Sequence, residues 1–345
     1  MQAIHIQAVG TMDQLKWGTV PDPPADPGRV RIRLKAAAMN QLDLFVLKGL
    51  PGLPKSFPHV PGADGMGIVE DPGPAAGRLK AGDRVLINPG LSCGACSFCL
   101  MGEHSLCAHF GLVGEHAPGT FGETITLPPG NVHACPEHLS DAEAAALPLT
   151  FVTAWRMLFT RARLQAGETV LIHGAGSGVS LAALTLAVAA GARVFITSSE
   201  DAKIVRAVSM GAHSGINYRR EKVEKAMQAL GGGAGADVVV DSVGEATWMA
   251  SLKCARKGGR IVTCGATSGP NPAEEIRLIF WKQLSILGST MGSHHDFSRM
   301  LEFVALRKIR PVVDRVYPLQ EARAAYERLS QGAQFGKIVL EHPAG

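Results

Sequence analysis

Four thiols sit close together in the stretch CGACSFCLMGEHSLC: Cys93, Cys96 and Cys99 are each separated by two residues, and Cys107 follows after seven more. A loop of this spacing can present four thiolates to one tetrahedral ion, and zinc fits best because it accepts soft sulfur donors and has no redox chemistry. Four protein ligands leave no open coordination position, so such a site would staple a lobe, about residues 88–110, and perform no chemistry. Gly94 and Gly102 help the loop to turn. An iron–sulfur cluster, a disulfide pair and four reduced thiols are the alternatives, the disulfide suiting an oxidising compartment better than a reducing one. Cys135, Cys254 and Cys264 lie singly and read as small buried hydrophobes.

A second pattern, IHGAGSGVS, follows an apolar strand and opens a small-residue helix. Gly174, Gly176 and Gly178 let the backbone approach a pyrophosphate, and the helix start, with Ser177 and Val179, turns amides towards that anion. Ser180 stands where the usual dinucleotide pattern has its last glycine. Downstream, where an NAD-selective site carries an acidic residue, FITSSEDAK offers Ser198 or Ser199 instead. Lys203 lies one helical turn further and NYRR supplies Tyr218, Arg219 and Arg220, so NADP(H) is the expected cofactor. NAD is the alternative if Glu200 or Asp201 takes the carboxylate's place. A solvated surface is the competing reading of Lys203 and Arg219.

The elements that must hold these groups show in the rhythm of the chain. From Gln2 to about Pro148, short alternating segments such as VRIRLKAAAMN, DGMGIVED and GETITLP read as strands of a β-rich, barrel-like domain. ETVLIHGAGSGVSLAALTLAVAAGARVFITSS is then strand, glycine turn, helix and strand; ADVVVDSVG and GGRIVTCGA continue a series that makes a parallel sheet covered on both faces. EARAAYERLSQGAQFGKIVLEH reads as a helix and a strand returning to the first domain. At 345 residues, two domains are the expectation. A net charge of +4 without a dense Lys/Arg stripe argues against nucleic acid and anionic membrane as partners. The longest apolar stretch, LAALTLAVAAG, is too short to span a bilayer, and the first residues lack a cationic and then apolar leader, so a cytoplasmic protein is expected.

In order and spacing, the thiol lobe, LPLTFVTAW, the GAGSGV turn and QLSILGST resemble the medium-chain dehydrogenase/reductase superfamily along essentially the whole chain. The resemblance implies an α/β fold: a Rossmann doubly wound parallel sheet at 150–292, and a GroES-like β-barrel catalytic domain formed by 1–149 and 293–345. It also implies a homodimer or homotetramer. Thr150, Thr153 and Gly265 are then expected beside the cofactor, with Ser289 or Thr290 touching it through the backbone. Zinc alcohol dehydrogenases of this family hold a catalytic metal with a Cys in the segment matching AAAMNQLDL, a Gly-His-Glu matching GADG, and a further Cys before the second domain. This chain has Asn40, Ala63 with Asp64, and Leu149 at those places, and Leu42 replaces the hydroxyl residue that begins their proton relay. Asn40 and Asp43 instead resemble the zinc-free quinone oxidoreductase branch.

The expected activity is hydride transfer between NADP(H), or NAD(H), and a small carbonyl, enone or quinone, with the structural zinc retained, one per chain, and the catalytic zinc absent. Asn40 is expected to donate a hydrogen bond to the substrate oxygen, Asp43 to support that loop, and Asp64 either to face the substrate or to satisfy turn amides. Capping of the helix QLDLFVLKG is the competing role of Asn40 and Asp43. One alternative is an alcohol dehydrogenase with an unconventional metal, for which Asp64, His59 and Asp43 are the available donors. Another is a nucleotide-binding protein without turnover.

Overall fold

The computed structural model describes residues 1–342 apart from 25, 51–55 and 75–76. The chain divides into two compact units, Met1–Leu149 with Gly292–Gly345, and Thr150–Met291.

In the second unit the apolar runs become one six-stranded sheet of Thr169–Ile172, Arg193–Ser198, Ser214–Asn217, Ala236–Asp241, Ala255–Thr263 and Ser285–Gly288. Counted in chain order these strands lie 3-2-1-4-5-6, and every neighbouring pair is parallel. Strand placement reverses between the first and fourth, and ligands of such sheets gather at the carboxyl ends beside that reversal. Leu171, Phe195, Val239 and Ile261 are fully buried, as strands covered on both faces require. The helix Gly178–Ala189 starts where the Ser177 hydroxyl accepts a hydrogen bond from the Ser180 N–H at 3.1 Å. Its composition is almost wholly apolar because Leu181, Ala183, Leu184 and Leu186 are all buried.

The first unit carries, among the described residues, a seven-stranded sheet with the nine-residue strand Val30–Ala38 as its hub. Val30, Ile32 and Leu34 point inward while Arg31 and Arg33 reach towards water, the period-two pattern of a half-buried strand. This strand runs antiparallel to Asp64–Asp71, to Thr124–Leu127 and to Lys337–Glu341. The last of these comes from the carboxyl tail, bringing Val339 opposite Ala38. Short pairs, Gln2–Ile6 with Leu15–Thr19 and Gly90–Leu91 with Gly111–Leu112, complete the unit, the latter flanking the thiol lobe. Among the described residues no helix is long and apolar enough to cross a membrane.

Candidate functional site

Asn40 lies two residues past the hub strand and immediately before the helix Gln41–Lys48, with an extended backbone (φ −129°, ψ 160°). Its N–H donates to Asp43 Oδ2 at 2.7 Å, and the N–H of Gly62 donates to Asp43 Oδ1 at 3.2 Å. Asp43 therefore ties the helix start to the segment that leads into Asp64. Burial pushes its carboxyl up to about 7, against the opposing pull of the Asn40 amide and of Lys337. Asn40 and Asp43 form a capping box at the helix start, and the Asn40 side chain also reaches away from the helix. Its Nδ2 donates to Asp64 Oδ2 at 2.9 Å, and its Oδ1 accepts from Lys337 Nζ at 2.6 Å.

Lys337 is the residue that sequence reasoning missed. Its ammonium also donates to Asp64 Oδ2 at 2.8 Å, while the Leu149 N–H donates to Asp64 Oδ1 at 2.7 Å. Asp64, Lys337 and Asn40 are 0%, 4% and 6% exposed, so an ion pair and an amide share one dry site. The single hint in the sequence is a lysine opening the otherwise apolar KIVL strand. A carbonyl bound to an ammonium in a low-dielectric site is polarised, which strengthens the N–H donors of the same amide. His59, a candidate metal donor by type, has its Nε2 at 2.9 Å from the Gly114 carbonyl.

In the second unit, Gly174 (φ +82°) and Gly176 (φ +112°) hold left-handed conformations that a side chain would strain. Ser177 is exposed, and Gly178 and Val179 are half-buried at the helix start. Ser180 explains its departure from glycine: its hydroxyl donates to the His173 carbonyl at 2.8 Å and lies 2.7 Å from the Ser177 hydroxyl, lacing helix to strand. Because the sheet is parallel, the turn at Gly174–Gly178, Ser198, Gly265 and Ser289 all follow strands at the same edge. A Cβ on Gly265 would lie 3.1 Å from the Ser242 carbonyl. The Ser289 N–H donates to the Thr263 carbonyl at 2.9 Å, and its hydroxyl is buried with no partner. Thr290 is exposed; Thr150 and Thr153 are buried in the helix Pro148–Trp155, with Thr153 Oγ1 donating to Met291 Sδ at 3.7 Å.

After the second strand, Ser198 is buried and its hydroxyl accepts from the Glu200 N–H at 3.2 Å. Ser199 is half-buried and Tyr218 exposed, its N–H held by the Ser198 carbonyl at 3.1 Å. Lys203 pairs with Glu200 at 2.8 Å, and Asp201 pairs with Arg220 at 2.5 Å. In these two pairs acid and base neutralise one another.

The four Sγ atoms of Cys93, Cys96, Cys99 and Cys107 lie within 4.8 Å of one another. Separations of 3.5 Å (Cys93–Cys107), 3.6 Å (Cys96–Cys99) and 3.9 Å (Cys93–Cys99) match the edge, about 3.8 Å, of a sulfur tetrahedron around zinc. The N–H groups of Cys96 and His109 donate to Cys93 Sγ and Cys107 Sγ at 3.4 and 3.3 Å. Backbone amides of Ala95 and Cys96 pull the Cys93 thiol down to about 6, whereas burial pushes the Cys99 thiol up to about 11. Among the described residues this is the one group of three or more His, Cys, Asp or Glu side chains that could hold a metal ion.

Residues 178–305 match the zinc-binding dehydrogenase family and residues 26–137 the alcohol dehydrogenase GroES-like domain. A zinc-type alcohol dehydrogenase-like protein of Schizosaccharomyces pombe is 36% identical over 347 aligned positions, with 98% of each chain covered. A quinone oxidoreductase of Mus musculus is 30% identical, covering 99% of this chain and 97% of its own. The crystal structure of an NAD-dependent alcohol dehydrogenase superimposes with a TM-score of 0.95 at 44% identity, covering 100% of both chains.

Proposed function

The chain belongs to the medium-chain dehydrogenase/reductase superfamily of oxidoreductases, and from that premise we propose that it transfers hydride between NADP(H) and a small carbonyl, enone or quinone with no metal at the reaction centre. The observation that carries this reading is the buried Lys337–Asp64–Asn40 cluster. Asp64 is the acid that stands where zinc enzymes of the family place a metal-site glutamate, and its carboxylate already holds an ammonium at 2.8 Å. A divalent cation bound there would face that positive charge at close range in a dry site.

The residues of the second unit fit a dinucleotide. The positive-φ glycines leave room for a pyrophosphate, the start of Gly178–Ala189 supplies amides, and the orphaned Ser289 hydroxyl lacks a partner that a ligand would provide. Gly174, Gly176, Ser177, Gly178 and Val179 would hold the pyrophosphate. Ser198, Ser199, Lys203 and Tyr218 would frame the adenosine ribose and its phosphate, and Thr150, Thr153, Gly265, Ser289 and Thr290 the nicotinamide half. For NADP(H), Lys203 exchanges Glu200 for the phosphate; for NAD(H), Glu200 accepts from the ribose hydroxyls. The nicotinamide, when bound, gives or takes the hydride. Asn40 keeps one Nδ2 hydrogen on Asp64 and exchanges the long 3.4 Å contact of the other with the Ala38 carbonyl for the substrate oxygen; Lys337 polarises that amide through Oδ1, and Asp64 and Asp43 hold the loop in place.

The thiol lobe is read as a structural zinc site, one ion per chain, which suits a reducing, cytoplasmic setting. The strand Ser285–Gly288, at the edge of its sheet, is read as the seam of a homodimer.

The test is a panel of aldehydes, enones and quinones with NADPH and NADH, and of alcohols with the oxidised cofactors, run beside zinc quantification. Turnover with a lower KM for NADPH and one zinc per chain is expected. A second zinc without which turnover stops would favour an alcohol dehydrogenase with a catalytic metal. Cofactor binding without oxidation of either nucleotide on the whole panel would favour a non-catalytic binding protein.

A further inference from the structure

We propose that His173, Ser251 and Thr197 are positioning residues for the pyrophosphate turn: a one-way chain of hydrogen bonds anchored on Asp241 fixes the peptide of Gly174. The proposal rests on the reading that this turn holds a dinucleotide. Asp241 ends the fourth strand of the sheet, Thr197 lies near the end of the second, and His173 follows the first; Ser251 comes from the helix Trp248–Cys254. All four are at most 2% exposed.

The direction of every proton follows from the carboxylate. Ser251 Oγ donates to Asp241 Oδ2 at 2.7 Å, so its lone pairs accept from His173 Nε2–H at 3.1 Å. That assigns the tautomer, and the bare Nδ1 accepts from the Thr197 hydroxyl at 3.4 Å. Thr197 Oγ1 in turn accepts the N–H of Gly174 at 3.2 Å, while the Thr197 carbonyl accepts the N–H of Ala175 at 2.7 Å. Burial lowers the His173 pKa, which keeps the imidazole in the neutral form the chain needs.

The other oxygen of Asp241 accepts the N–H groups of Val243 and Gly244 at 2.9 and 3.0 Å and the Thr247 hydroxyl at 2.8 Å. One carboxylate thus shapes the loop after the fourth strand and, through three side chains, the glycine turn after the first. These are the two loops that flank the reversal of strand order, where a nucleotide binds in sheets of this kind. Four buried polar side chains would be a costly way to fill a core that Val and Leu could fill. Their arrangement is accounted for by what the far end grips: a turn peptide with φ +82° whose orientation must be set before the anion arrives.

The experiment is a fluorescence titration of NADPH into the wild-type chain and into Ser251→Ala, Thr197→Val, Thr197→Ser and the Ser251→Ala/Thr197→Val double variant, with circular dichroism reporting the fold. Ser251→Ala and Thr197→Val should each raise Kd about fivefold, roughly what one net hydrogen bond of preorganisation is worth. Thr197→Ser, which keeps the hydroxyl, should bind like wild type. The double variant should bind no more weakly than the worse single one, since one break already uncouples the chain. If Ser251→Ala does not fold, the contrast between Thr197→Val and Thr197→Ser decides. Unchanged Kd in folded variants, or effects that simply add, would overturn the proposal. A wild-type chain that binds neither NADPH nor NADH would instead overturn the dinucleotide reading beneath it.

Discussion

Lys337 shows how much one buried charge can organise. Its ammonium holds Asp64 Oδ2 and Asn40 Oδ1 within 2.8 and 2.6 Å, and both acceptors are buried. Lys337→Met keeps the length of the side chain but strands a buried carboxylate, a change that costs about 3–5 kcal/mol because the remaining ion is uncompensated. Urea unfolding should show that loss, and pairing the variant with Asp64→Asn should recover part of it. A Lys337→Met protein as stable as wild type would mean that water or another group reaches Asp64. Asn40, Asp43 and Asp64 could be singled out from the sequence because the family pattern marks their places. Their partner could not, since it lies 273 residues from Asp64 and arrives only through the pairing of Val339 with Ala38. Nor could spacing reveal that Asn40, besides sharing the capping box with Asp43, would turn its amide to Asp64.

At the level of elements, the thiol lobe and the glycine turn were readable because each is local: its chemistry depends on spacing within one loop. The Cys107→Ser variant should lose zinc and melt several degrees lower than wild type, since a closed site contributes folding free energy directly. Metal analysis and a thermal scan decide it; full zinc occupancy in the variant would remove Cys107 from the ligand set. What was not local was not readable. His133, in the strand Val132–Ala134, packs its ring 4.7 Å from Phe297 of the helix His294–Arg307, and its Nε2 is buried without a partner. Burial, with His294 nearby, lowers its pKa from 6.5 to about 4. Between those values the unfolded chain takes up a proton that the folded chain refuses, so stability falls as pH drops from about 6.5 towards 4. His133→Phe should flatten that window by up to about 1.4 kcal/mol per pH unit at its steepest. Parallel profiles of unfolding free energy against pH for the two proteins would refute the assignment.

For the whole molecule, alternating strands and helices were enough to foresee a parallel sheet, but not where it ends. Ser285–Gly288 pairs with Arg260–Thr263 on one side and is the edge strand of the sheet, its Gly288 carbonyl accepting from Arg161 Nε at 2.8 Å and the other backbone groups of its outer side facing no further strand among the described residues. Beside it, the helix Ile276–Lys282 exposes Ile276, Phe280 and Trp281 at 66%, 61% and 74%. Large apolar side chains clustered next to an open edge are what an interface core provides and what a monomer's surface avoids. Sedimentation velocity of the wild-type chain should therefore give twice the chain mass. The double variant Phe280→Glu/Trp281→Arg removes two aromatic anchors worth about 2 kcal/mol each, so association should weaken about a thousandfold and the chain sediment as a monomer at micromolar concentration. Because both side chains point to solvent and neither belongs to the glycine turn, NADPH should still bind the monomer. A wild-type chain that is already monomeric, or a variant that remains fully dimeric, would show that the copies meet through another surface or not at all.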